Sequence, residues 1–171
     1  MYPDGMSEAG FHLAQVNIAL LREPLHSALL ADFVAALAPI NALADSSPGF
    51  VWRLQTEDGD ATSVRAFDDE RLIVNLSTWE SLESLADFVY RSVHTEVMRR
   101  RRTWFDRLHE AYTVLWWVPI GHRPSVEEAK QRLNNLQTYG PTADAFSFKT
   151  PFSPANSATP LLARDGDACP V

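Results

Sequence analysis

A chain of 171 residues, 46% hydrophobic and 11% aromatic, is long enough for one cored domain and forces no second. A formal net charge of −7 makes the average surface acidic, which disfavours nucleic acid and anionic lipid as partners. The lone cysteine, Cys169, excludes an intrachain disulfide and a thiolate metal site, and no apolar run approaches the roughly 20 residues of a membrane span. MYPDGMSEAG has neither the basic start nor the apolar core of a signal peptide, so a cytoplasmic protein is expected.

Residues 1–10 read as a flexible N-terminus, 11–150 as a single domain and 151–171 as an extended or disordered tail rich in Pro, Ser and Ala. HLAQVNIAL (12–20) alternates like a strand. Pro24 opens a helical stretch with Leu25, Leu29, Phe33, Leu37, Ile40 and Leu43 at spacings of four and three, and Pro39 predicts a kink or break within it. GFVWRL (49–54) is a second strand, followed by a turn over 56–62 with Asp58-Gly59 at its tip. Asp68-Asp69-Glu70 reads as a solvated loop before the clearest strand, RLIVNLSTW (71–79). A long helix is predicted from about 80 to 109, with Ser77 or Thr78 as its cap. YTVLWWVP (112–119) is a fourth strand, and Pro124-Ser-Val-Glu-Glu opens a last helix running to about Tyr139.

Strand, helix, strand followed by strand, helix, strand is the ferredoxin-like βαββαβ order of an α+β domain. Such a sheet leaves one face open. Trp116 and Trp117 point to opposite faces of the fourth strand, so that face needs cover, from a second copy of the chain or from the last helix.

Four consecutive arginines, Arg99 to Arg102, fan around the second helix at about 100° steps and cannot form one basic face. Leu82, Ala86, Val89, Val93 and Val97 mark the core direction; Arg99 and Arg102 point away from it and Arg100 skirts it. Arg101 shares a ridge with Tyr90 and His94 on the flank of that face. Facing the ridge, Asn17 on the first strand and Asn75 on the third are costly in central strands unless they find hydrogen-bond partners. With Trp79 beyond them, they can line a pocket between the sheet and the second helix that polarises a small planar or carbonyl-bearing molecule. Trp52 and Trp117 are further candidate walls. No HExxH, CxxC, Walker, GxGxxG or GxSxG motif is present, and the histidines are too scattered to suggest a metal site.

HLAQVNIA, INALADSSPGFVWRL, VNLSTWES, DFVYRSVH, RRRTWF and LWWVPIGHRPSVEEAKQRL together resemble the bacterial DUF3291 family, over about residues 11–150. The resemblance implies the dimeric α/β-barrel superfamily, hence a homodimer. Within it, antibiotic-biosynthesis-type monooxygenases, which oxidise phenolic substrates without metal or flavin, carry an Asn and a Trp spaced like Asn75 and Trp79. Haem-degrading members of the IsdG type carry an Asn, a Trp and a His placed like Asn17, Trp79 and His94. The first likeness implies a cofactor-independent monooxygenase, or a related isomerase or cyclase. Asn75 and Asn17 would bind the substrate oxygen, with Trp79 against its ring and Tyr90 joining Asn75 among the catalytic residues. His94 would exchange a proton and Arg101 would stabilise an oxyanion. The second makes His94 an axial haem ligand. A dimeric binding or structural protein without catalysis is the third reading.

Overall fold

The computed structural model describes residues 10–91 and 94–154, the side chains of His94, Thr95 and Val97 excepted. The alternating stretch near the N-terminus forms β1 (Phe11–Leu21), the spine of an antiparallel sheet. On one side β1 pairs with β3 (Leu72–Trp79), which in turn pairs with β2 (Phe50–Arg53). Its other edge is shared between a two-residue strand, β4 (Phe105–Asp106), and β5 (Thr113–Pro119). This is the ferredoxin-like order of an α+β domain.

The helices depart from expectation in two places. A short 3-10 turn, Ala28–Leu30, leads into α1 (Ala31–Asp45), which runs unbroken through Pro39. Pro39 and Ala35, whose carbonyl loses its partner to the proline ring, both lie on the exposed side, where water can take the lost hydrogen bond. The stretch Ala28–Asp45, with a mean hydropathy of 1.5, is long and apolar enough to cross a membrane, which corrects the sequence reading of its apolar runs; core helices of soluble proteins pass the same test.

Of the helix expected from about 80 to 109, the structure describes α2 (Leu82–Arg91) and α3 (His94–Trp104), and α3 stops at Trp104, short of the expected end. The end of α3 is dictated by Trp104, which is fully buried against Phe33, and by Phe105 and Asp106, which pair with the end of β1. The cap of α2 is Ser81, whose Oγ accepts from the Ser84 amide at 3.0 Å, because Ser77 and Thr78 are still strand residues. Gly49 sets the entry to β2: its φ is +78°, its carbonyl accepts from the Glu80 amide, and a Cβ there would collide with Ser84.

The last helix, α4 (Val126–Tyr139), has Ser125 as its cap, with Oγ accepting from the Glu128 amide. It lies on the sheet face that βαββαβ order leaves open. Ala129, Leu133 and Leu136 join Ala14, Val16, Val114 and Trp116 in one core. Glu128 accepts a hydrogen bond from the Trp116 indole at 3.0 Å, tying the helix to the sheet. Of the two covers expected for that face, a second copy of the chain or the last helix, the last helix lies there. On the opposite face a second core gathers Leu13, Trp79, Leu82, Leu85, Leu115 and Phe146. Phe152, within the stretch expected to be a loose tail, adds to it, and its carbonyl accepts from the Trp117 indole at 2.8 Å.

Leu136→Ala, which would empty the α4 contact, is expected to lower unfolding free energy by about 2–5 kcal/mol in urea titrations. Gly49→Ala, strained at positive φ and pressed against Ser84, is expected to cost about 1–3 kcal/mol by the same measurement.

Candidate active site

The register of the sheet builds the site. On the face away from α4, Asn17 of β1 lies directly opposite Asn75 of β3 and, across its other edge, Thr113 of β5. The next row toward the start of β1 is Ser77, Gln15 and Leu115, and the row beyond is Trp79, Leu13 and Trp117. A polar belt thus crosses the centre of an otherwise apolar sheet face. In the inner row the polar groups satisfy one another: Gln15 Nε2 donates to Ser77 Oγ at 2.9 Å, and the Trp79 indole donates to the same oxygen at 3.0 Å. Gln15 Nε2 also reaches Asn75 Oδ1, at 3.4 Å.

The outer row is different. Asn75 is exposed in the middle of a central strand, and Asn17 has no side-chain hydrogen bond among the described residues. Both face a cavity of about 530 Å³, within the range of small-ligand sites. Its floor is Gln15, Asn17, Asn75 and Ser77; Phe33, Leu37 and Ile40 of α1 form one wall. Phe88, Val89 and Tyr90 of α2 form another, with Met98 and Arg101 of α3 beside them. Phe148 and Lys149, from the segment after α4, close the rim, and Phe148 meets the Tyr90 ring edge-on at 5.4 Å.

Gln15 thus takes up Asn75 Oδ1, and no described residue accepts from the Asn75 amide N–H groups. Trp79 is buried, stacked on Phe88 at 5.2 Å and met edge-on by Phe50 at 5.4 Å, so its plane is held from both sides. Arg101 Nη1 donates to the Tyr112 hydroxyl at 2.9 Å, and the guanidinium lies 4.7 Å from the centre of that ring. The neighbouring arginines are engaged elsewhere: Arg99 with Glu96, and Arg100 with Asp32 and over the Trp104 ring.

Of the residues singled out from the sequence, the structure brings Asn17, Asn75, Trp79, Tyr90 and Arg101 to one cavity. His94 opens α3, but its side chain lies outside the described residues. Two tryptophans are placed elsewhere. Trp117 is on the same face as the cavity but beyond its end, in the core with Phe146. Trp52 is on the α4 side: between Phe50 and Trp52 the β2–β3 register slips, so Phe50 pairs with Trp79 and Trp52 with Thr78, on the opposite face. That extra residue is a β-bulge, which strict alternation does not anticipate. Gln15 and Ser77, the pair that orients Asn75, had no assigned role in the sequence, although both lie on the strand faces that carry the asparagines. Tyr112 was equally unmarked, since its contact with Arg101 spans 11 residues and depends on how α3 meets β5.

Comparable folds occur among solved structures. A conserved protein from Methanosarcina mazei Go1 is 12% identical, with a TM-score of 0.44, over 66% of this chain and 95% of that one. SnoaB, a cofactor-independent oxygenase from Streptomyces nogalater, is 15% identical in a mutant form, with a TM-score of 0.40 over 66% of this chain and 95% of that one. A protein of unknown function from Nitrosomonas europaea is 14% identical, with a TM-score of 0.40 over 68% and 95%. No curated protein matches the chain by sequence. The model of DUF3291, a domain of unknown function, matches residues 12–162, and the chain belongs to that family.

Proposed function

We propose that the protein is a small-molecule oxygenase that works without a cofactor on an electron-rich phenolic or carbonyl-bearing substrate. The observation that carries this reading is the pairing of Asn17 with Asn75 at the floor of the cavity, with amide N–H groups that no described residue accepts and a buried indole four residues beyond Asn75. Polar groups left unpaired in the centre of a sheet are costly unless they serve a ligand or water.

Amide N–H groups aimed at a substrate oxygen stabilise negative charge as it develops there. A CH2 flanked by a carbonyl and an aromatic ring then loses a proton more readily, and His94 is the proposed acceptor. The enolate passes one electron to O2, the two radicals combine at carbon, and loss of water leaves a new carbonyl. One oxygen atom enters the product and the other leaves as water; the substrate supplies every electron. Phe88, backed by the buried Trp79, would give the ring a flat wall above the floor.

The test is aerobic incubation with anthrone, following anthraquinone formation and O2 uptake, with haemin added in a parallel series. Uptake of one O2 per quinone is expected without haemin, and Asn75→Ala is expected to lower kcat about 100- to 1,000-fold. Turnover that requires haemin would transfer the site to haem chemistry; binding of phenols with no O2 uptake would make the protein a binding module.

A further inference from the structure

The described arginines that are partly buried are Arg53, Arg101 and Arg132. Arg53 lies 2.7 Å from Asp45 and Arg132 lies 3.8 Å from Asp144. Arg101 has no carboxylate among the described residues. Its polar partner is the Tyr112 hydroxyl, which offers a hydrogen bond and a ring face but no counter-charge. The acidic residue on the cavity lining, Asp60, is turned to Thr62, whose amide and hydroxyl both donate to its Oδ1 at 2.8 Å and 2.6 Å. Lys149 at the rim is also without a described ion pair, so the cavity carries excess positive charge in a chain of net charge −7.

A guanidinium drawn partly out of water and left without an anion is unfavourable, and a bound anion relieves it through paired, charge-assisted hydrogen bonds. We propose that the ligand of this cavity is a ring-bearing carboxylic acid whose carboxylate pairs with Arg101, with Lys149 adding attraction at the rim. The proposal rests on the cavity being a small-molecule site and specifies what occupies it. It separates two roles for Arg101. A permanent carboxylate is held in the ground state as well as the transition state, so its partner governs affinity; a transient oxyanion would make Arg101 govern kcat.

The experiment is calorimetric titration of the full chain with a matched pair, 3-hydroxy-2-naphthoic acid and 2-naphthol. The acid is expected to bind at least about tenfold more tightly than the naphthol, and the preference should shrink as salt rises. Arg101→Gln is expected to bring the two to within about twofold, while Arg101→Lys keeps part of the preference and Arg102→Gln, on the exposed neighbour, keeps all of it. Tyr112→Phe, which leaves the guanidinium in place, is also expected to retain it. Equal binding of acid and naphthol, or a preference that survives Arg101→Gln, overturns the proposal while the small-molecule cavity stands. Binding of neither compound overturns both.

Discussion

Everything about this domain turns on the polar belt that crosses the middle of its sheet. β1 is paired along both edges, so its side chains have nowhere to go but the two faces, and the register places Asn17 between Asn75 and Thr113. An apolar helix cannot be laid flat on such a row without stranding amide groups, at about 1–3 kcal/mol for each unsatisfied one. The solution is a division of labour between the faces. The side carrying Val16, Val114 and Trp116 is sealed by α4, while the side carrying the asparagines keeps a gap beneath α1 and α2.

The belt is also graded. Its inner row is closed on itself, with Ser77 Oγ accepting from both Gln15 and Trp79, and that closure reaches outward through Gln15 to fix which way the Asn75 amide points. A rigid floor is what a site needs to present donors to one oxygen, and Phe88, stacked on the buried Trp79, offers one ring a flat wall. The cation at its edge belongs to a third element, α3, and is steadied by the Tyr112 hydroxyl and ring.

Local signals in the chain were sufficient where local physics decides. Alternation in HLAQVNIAL and RLIVNLSTW marked the two central strands and put Asn17, Asn75 and Trp79 on common faces, because side-chain direction along a strand has a period of two. Ser125 and the residues after it marked the start of α4 for an equally local reason, the unsatisfied amides of a first turn. The wheel that separated Arg101 from its neighbours held within α3, since 11 residues are enough to define faces. It could not reveal that α3 stops at Trp104, because that end answers to the burial of Trp104 and the pairing of β4 with β1.

By itself, then, the sequence determined the four longer strands, the fold order and the candidate polar residues, all of them consequences of periodicity and capping. Only the tertiary structure decided which face α4 would cover, that Trp52 would be turned away by a bulge, and that Arg101 would find a phenol and, among the described residues, no carboxylate. Those outcomes depend on contacts between residues far apart in the chain, where packing volume and charge pairing act and no local pattern records the result.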